Sequence, residues 1–350
     1  MVDEQRTTAA GWTADALTTL LQSLVPASIW HAEARGFDNL RALLECHQDT
    51  ITPISQAFAF GLPNAAALGR ITHHAAGGII VEVGAGNGLW AALLRKCGLR
   101  VIASDANRPT NAFCVIQVES GASAVAHAGP AAALLLCWPP LELEVATSDG
   151  GGEDGNLMAL EALTAFRGRI LFYVGEWRHR AGFVATLSWR TAMHGHTAGA
   201  RFQAMVEADF ELVEIVPIPR WPGFADALYV FRRNESRGVA ATAGVIGGTP
   251  LVNLPATPPP PLHSRLSLMV GAGLTPRAAL AAAILLDATL CQAAVGPSAT
   301  STVSPARLKA PHQPVPSTAT AAGTPVPLQP LSSLVERGMK RPSLFSFDVT

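Results

Sequence analysis

The chain has 350 residues, of which 49% are hydrophobic and 15% charged, and 25 Lys and Arg against 26 Asp and Glu leave a net charge of −1. No dense basic block breaks that balance, so the phosphate-neutralising footprint of a duplex binder is missing; nucleic acid is an unfavoured partner, with RNA not excluded. Mean hydropathy is +0.27, yet the most apolar run, Ala278 to Leu286, is closed off by Arg277 and Asp287 and is too short to cross a bilayer, so no membrane partner is expected.

The five cysteines (Cys46, Cys97, Cys114, Cys137, Cys291) lie far apart with no Cys-x-x-Cys pair, which argues against a zinc site or a disulfide framework and predicts small buried apolar residues instead. The N-terminus, MVDEQRTTAAG, carries acids early and no apolar core, so neither a secretory signal nor a transit peptide fits. A cytoplasmic location is expected, with the nucleus open.

In chain order, Thr13 and Asp15 followed by Leu17, Leu20, Leu21 and Leu24 predict a capped amphipathic helix ended by Pro26. Asp38 would cap a second helix carrying Leu40, Leu43 and Leu44. In SQAFAFGLPNAAALGRI, Pro63 suits a first helical position, with Leu68 and Ile71 on the buried face. Phe58 and Phe60 suit either a lid over a ligand or a place in the core.

Ile79 to Trp90 reads IIVEVGAGNGLW: an apolar strand around Glu82, a glycine loop, then a helix with Trp90, Leu93 and Leu94 on one side that stops near Gly98. Such a strand suits burial on both faces, as between helices. Gly84, Gly86 and Gly88 allow a tight turn and a close backbone approach to a ligand over the helix N-terminus. A dinucleotide site wants its third glycine at position 89, which is Leu89; here it falls at Gly88. Val101 to Ala103 predicts the second strand, closed by Asp105, 21 positions after Gly84 where about 20 are expected before a ribose-binding acid. Asp105 as a cap of the following helix is the other reading.

Glu82, the Gly-x-Gly-x-Gly loop and Asp105 together resemble the class I S-adenosylmethionine-dependent methyltransferases. The resemblance implies a Rossmann-like seven-stranded α/β sheet with helices on both faces and an antiparallel final strand. It also implies S-adenosylmethionine as cofactor, held by Glu82, by the loop residues Gly84, Ala85, Gly86, Asn87 and Gly88 around its methionine part, by Asp105 with Ala106 at the ribose, and by Cys137.

Ile116 to Val118 is expected as a short third strand, and His127 as a surface or packing residue. Ala133 to Trp138, closed by Pro139 and Pro140, predicts the fourth strand. Ligands of open α/β sheets lie at the carboxyl ends of strands, so Trp138, Pro139 and Pro140 are candidate catalytic residues facing the transferable methyl group, with proline carbonyls free to aim at the cleft. The segment resembles the Asn/Asp-Pro-Pro-aromatic motif of amine-modifying methyltransferases, with Trp138 in place of the amide or carboxylate and Leu141 in place of the aromatic. A rigid strand end with a core tryptophan stays open.

A helix over Leu157 to Phe166 and a strand over Ile170 to Val174 follow, and then Glu176, a candidate general base because a carboxylate beside an apolar wall gains proton affinity. An ion pair with Arg178 or Arg180 competes with that role. Phe210 to Pro217 and Ala227 to Arg232 are the last predicted strands, joined through PRWPGFAD. The blocks from Phe58 to Arg233 resemble a group of uncharacterised methyltransferase-like proteins, against which Trp177 to His196 looks like an insertion.

The expected organisation is a helical cover over residues 1–57, the S-adenosylmethionine-dependent domain over 58–235 and a Pro/Ala/Ser/Thr-rich tail over 236–350. That tail should be mostly disordered, having too little to bury, with a helix at Pro276 to Ala294. The expected activity is methyl transfer to a small molecule or a protein side chain, with no metal required. The alternative is a non-catalytic member of the fold that binds the cofactor or a protein partner; a nicotinamide-dependent enzyme is disfavoured by Leu89.

Overall fold

A computed structural model of the chain describes residues 2–36, 39–107, 112–141, 157–187, 193, 195–234, 269, 270, 279 and 282. The chain divides into two units, Met1–Val295 and Gly296–Thr350; the second lies outside the described residues. The strands of the first unit are β1 (Ile79–Val83), β2 (Arg100–Asp105), β3 (Gln117–Val118), β4 (Ala133–Cys137), β5 (Ile170–Gly175), β6 (Phe210–Pro217) and β7 (Ala227–Arg233). They form one seven-stranded sheet in the order β3-β2-β1-β4-β5-β7-β6. The first five pair in parallel, and β7 runs antiparallel between β5 and β6. This is the expected Rossmann-like α/β fold with its antiparallel final strand. Strand order reverses between β1 and β4, so a crevice opens beyond their carboxyl ends.

The helices are α1 (Val2–Gln22), α2 (Ala27–Ala34), α3 (Leu40–Cys46), α4 (Thr52–Ala57), α5 (Ala65–Ala75), α6 (Leu89–Lys96), α7 (Gly121–Ala128), α8 (Met158–Ala165), α9 (Phe183–Thr186) and α10 (Ala200–Asp209). Side chains alternate between the two faces of a strand. Ile80, Leu135, Phe172 and Val230 join a cluster with Leu17 and Leu21 of α1, Leu68 and Ile71 of α5 and Leu93 of α6. Val81, Leu134, Tyr173 and Tyr229 join another with Val125 of α7, Leu163 of α8 and Phe202 of α10. Helices thus cover both faces, which is why the parallel strands read as unbroken apolar runs.

Several predicted boundaries shift. No proline stands between Val2 and Thr13, so α1 starts early and runs through Gly11, and Thr13 lies inside it with its hydroxyl donating to the Ala9 carbonyl at 3.0 Å. Asp15 instead accepts the Ala65 N–H at 2.8 Å, and Thr18 donates to the Pro63 carbonyl at 2.8 Å, fastening α1 to the start of α5. Asn64 caps α5 by accepting the Ala67 N–H at 2.8 Å, which leaves Pro63 before the cap rather than inside the helix. Asp38 lies outside the described residues; the cap of α3 is Asn39. Pro53 has no N–H to give, and just before it the helix widens into a π turn over His47–Ile51.

The expected disordered tail and its helix fall outside the described residues except for Met269, Val270, Ala279 and Ala282. These are helical, and Met269, Ala279 and Ala282 are fully buried in the cluster that also holds residues of α1 and α6. Among the described residues no helix is long and apolar enough to cross a membrane.

Candidate functional site

The loop after β1 owes its shape to left-handed glycines: Gly84, Gly86 and Gly88 have φ of 69°, 53° and 73°, a region L-side chains avoid. At Gly84 and Gly88 a Cβ would also meet Met158 and Cys114, at 2.6 and 2.8 Å, whereas at Gly86 nothing lies within 4 Å. Gly86 is therefore the glycine with open space beside it. The turn is held by backbone bonds from Ala85 to the Ser104 carbonyl at 2.9 Å and from Gly88 to the Ala85 carbonyl at 2.7 Å.

Glu82, Gly84, Ala85, Gly86, Asn87 and Cys137 together line a cleft open to solvent, with Phe58, Phe60 and Trp90 among the other lining residues. The Asn87 amide donates to the carbonyls of Gln56 at 2.6 Å and Ala57 at 3.0 Å, which anchors the end of α4 over the loop. Phe58 is buried and stacks on Phe113, so it belongs to the core, and it also lines the cleft.

Glu82 is 1% exposed, and its Oε2 has no hydrogen-bond partner among the described residues. Burial pushes its carboxyl up to about 8, against the pull of the Ala91 N–H and the Arg95 charge. An acid buried with an idle oxygen in the wall of a cleft suits a ligand that brings a positive group to it.

Asp105 closes β2. Its Oδ2 accepts the Gly86 N–H and its Oδ1 the Asn107 N–H, each at 2.9 Å. Asp105 and the exposed Ala106 are not in the cleft wall, and Gly88 faces Cys114 and Ile116 instead.

The predicted fourth strand ends at Cys137, one residue early, because Trp138 turns to φ 49°. That conformation costs a non-glycine residue about 1–2 kcal/mol, and a following proline restricts the residue further. Several contacts hold it: the Trp138 N–H donates to the Val174 carbonyl at 2.8 Å, the indole N–H donates to Asp226 Oδ1 at 2.9 Å, and the ring stacks on Phe60 with centroids 5.2 Å apart. The Pro139 carbonyl accepts the Ala198 N–H at 3.1 Å, so it does not aim at the cleft as expected; Pro140 is exposed. Burial pushes the Cys137 thiol well above its ordinary range.

Glu176 is fully buried and outside the cleft wall. Its Oε1 accepts the backbone N–H groups of Gly182 at 2.7 Å and Ala225 at 2.9 Å, and its Oε2 that of His196 at 2.9 Å. This differs from both expectations. Both carboxyl oxygens are taken up by backbone donors, and Arg178 pairs with Glu207 instead, at 2.7 Å. Glu176 clasps both ends of the segment that resembled an insertion.

Asp226, just before β7, is a residue that sequence reasoning missed. It is 5% exposed, its Oδ2 has no partner among the described residues, and burial with the neighbouring Glu176 charge pushes its carboxyl well above the ordinary range despite the Trp138 bond. An acid directly before an apolar strand in PRWPGFAD was the available signal. Among the described residues no group of three His, Cys, Asp or Glu side chains is placed to hold a metal ion.

No model of a known protein family matches the sequence, and no curated protein does. Solved structures do share similarity. The 1,6-didemethyltoxoflavin-N1-methyltransferase of Burkholderia thailandensis is 14% identical, with 59% of this chain and 89% of that chain covered and a TM-score of 0.29. For the magnesium protoporphyrin IX methyltransferase of Synechocystis PCC 6803 the values are 10%, 62%, 100% and 0.32. For human N-acetylserotonin methyltransferase they are 13%, 65%, 66% and 0.26. The fold itself rests on the strand order and register above.

Proposed function

We propose that the cleft binds S-adenosylmethionine and that the chain transfers its methyl group to a small molecule or a protein side chain. The observation that carries this reading is the Oε2 of buried Glu82, unpartnered among the described residues, beside the open face of Gly86, both in one cleft at the point where strand order reverses. A cofactor with a positively charged amino-acid part and a ribose suits this arrangement: Glu82 takes the ammonium group, the backbone of Gly84 to Asn87 lies along the methionine part, and Asp105, bonded to the Gly86 N–H just outside the cleft wall, takes the ribose hydroxyls. When bound, the cofactor supplies an electrophilic methyl group on a sulfonium, which needs no metal and no covalent enzyme intermediate.

The chain's own work is then to align and to dry the site. Phe58 and Phe60 line the cleft with apolar surface, and Asn87 holds the end of the preceding helix α4 in place. Glu176 is committed to backbone donors, so proton removal, where an acceptor requires it, falls to the acceptor itself or to solvent.

That same commitment, with Trp138 in place of an amide or carboxylate, favours a second reading in which the chain binds the cofactor without turnover. Calorimetry with S-adenosylhomocysteine, S-adenosylmethionine and NAD tests the cleft: the first two should bind and NAD should not, and the reverse order would overturn the assignment. Transfer of labelled methyl groups from the cofactor to a fractionated cell extract separates the two readings.

A further inference from the structure

The carboxyl end of β4 gathers several unfavourable arrangements in one place. Trp138 is left-handed directly before a proline. Asp226 is buried with one carboxyl oxygen bonded and the other idle, and its neighbour is a second buried carboxylate, Glu176. Strain and half-satisfied polar groups of this kind persist only where the surroundings over-determine them, and they cluster at functional sites. Here they share a single output, the position of the Trp138 ring. One face of that ring stacks on Phe60 at 5.2 Å, and the edge of Phe224 meets it at 5.1 Å. Phe60 in turn lines the cleft, and the segment is pinned from outside by indole N–H bonds from Trp221 to the Phe60 carbonyl at 3.1 Å and from Trp90 to the Gly61 carbonyl at 2.9 Å.

We infer that Asp226 is a positioning residue for the cleft: its carboxylate latches the Trp138 indole, and Trp138 sets Phe60 against whatever occupies the cleft. The inference rests on the reading of that cleft as the cofactor site. Asp226 reaches the ligand only through the two stacked rings, and its Oδ1 is the atom that matters. An amide at 226 keeps that oxygen for the indole, so Asp226→Asn preserves the latch while Asp226→Ala releases it.

The test compares S-adenosylhomocysteine affinity and near-ultraviolet circular dichroism in the wild type and in Asp226→Asn, Asp226→Ala and Trp138→Phe, the last keeping an aromatic ring but no N–H. The wild-type minus Trp138→Phe difference spectrum isolates the signature of Trp138 from those of the other tryptophans. Asp226→Ala and Trp138→Phe should bind roughly tenfold more weakly, the affinity equivalent of one lost hydrogen bond to a charged group, and Asp226→Ala should lose the Trp138 band. Asp226→Asn should keep both band and affinity, which a residue needed for its charge would not show. Unchanged affinity in Trp138→Phe and Asp226→Ala would overturn the inference, and if Asp226→Ala fails to fold, Trp138→Phe decides it. If the wild type binds no S-adenosylhomocysteine, the cofactor reading fails instead, and the spectra of the Asp226 variants still show whether the latch exists.

Discussion

Gly86 donates its backbone N–H to Oδ2 of Asp105 at 2.9 Å, a bond that ties the loop after β1 to the end of β2. One carboxylate therefore shapes the loop in addition to the ribose contact proposed for it. Asp105→Ala should lose both roles, and Asp105→Asn should keep an oxygen for Gly86 while weakening the ribose contact. The expected order of S-adenosylhomocysteine affinity by calorimetry is wild type, then Asn, then Ala, with the Ala variant at least about tenfold weaker. Equal affinities would remove Asp105 from the site.

Gly86→Ala separates ligand space from folding. The new methyl group meets no protein atom within 4 Å, but φ 53° is left-handed, so a modest stability loss of about 1–2 kcal/mol is expected. Cofactor affinity should fall much further, because the methyl group would stand where the ligand lies. A variant that loses stability but binds normally would place the ligand elsewhere.

Glu82 links the cleft to pH. Its folded-state pKa is raised from 4.5 to about 8, so the stability it contributes is fully present below about 4.5 and is lost as pH rises through about 8. Glu82→Gln holds the neutral form at every pH. Relative to wild type, the variant should therefore gain stability steadily between about pH 5 and about pH 8.5 in urea titrations. A cationic ligand group beside Glu82 would favour its ionised form, so cofactor binding near neutral pH should release up to about one proton, seen as buffer-dependent binding enthalpy and abolished in Glu82→Gln.

Glu176→Gln replaces one acceptor oxygen by a donor facing a backbone N–H. Losing one charge-assisted bond in a fully buried place should cost about 1.5–3 kcal/mol, with cofactor affinity per folded molecule unchanged. A variant as stable as wild type but without methyl transfer would restore Glu176 as a general base.

Met269, Ala279 and Ala282 are buried in the main core cluster, so a chain cut after Asn234 should unfold at clearly lower urea concentration than one cut after Val295. Met269→Ala in the full chain should cost about 2–5 kcal/mol. Equal midpoints for the two truncations would show that the core closes at β7.

What the sequence determined alone were the local features: the apolar strands, the glycine loop, and Glu82 and Asp105 at strand ends. Each is carried by a few neighbouring residues, whose periodicity and φ requirements do not depend on the rest of the chain. From the same information Thr13 and Pro63 were misplaced, because a cap depends on where the helix starts: α1 starts at Val2 and runs through Gly11, and α5 is capped by Asn64.

The tertiary structure decided what the buried acids do. Glu82, inside β1, and Glu176, just after β5, both stand near the carboxyl ends of apolar strands, yet among the described residues one keeps an idle oxygen in a cleft and the other is filled by N–H groups of Gly182, His196 and Ala225. Asp226 meets Trp138 across 88 positions, and Met269 reaches a core that seemed complete at residue 235. Such partners come from distant segments that only the packed sheet brings together, and a carboxylate's role follows from which donors surround it.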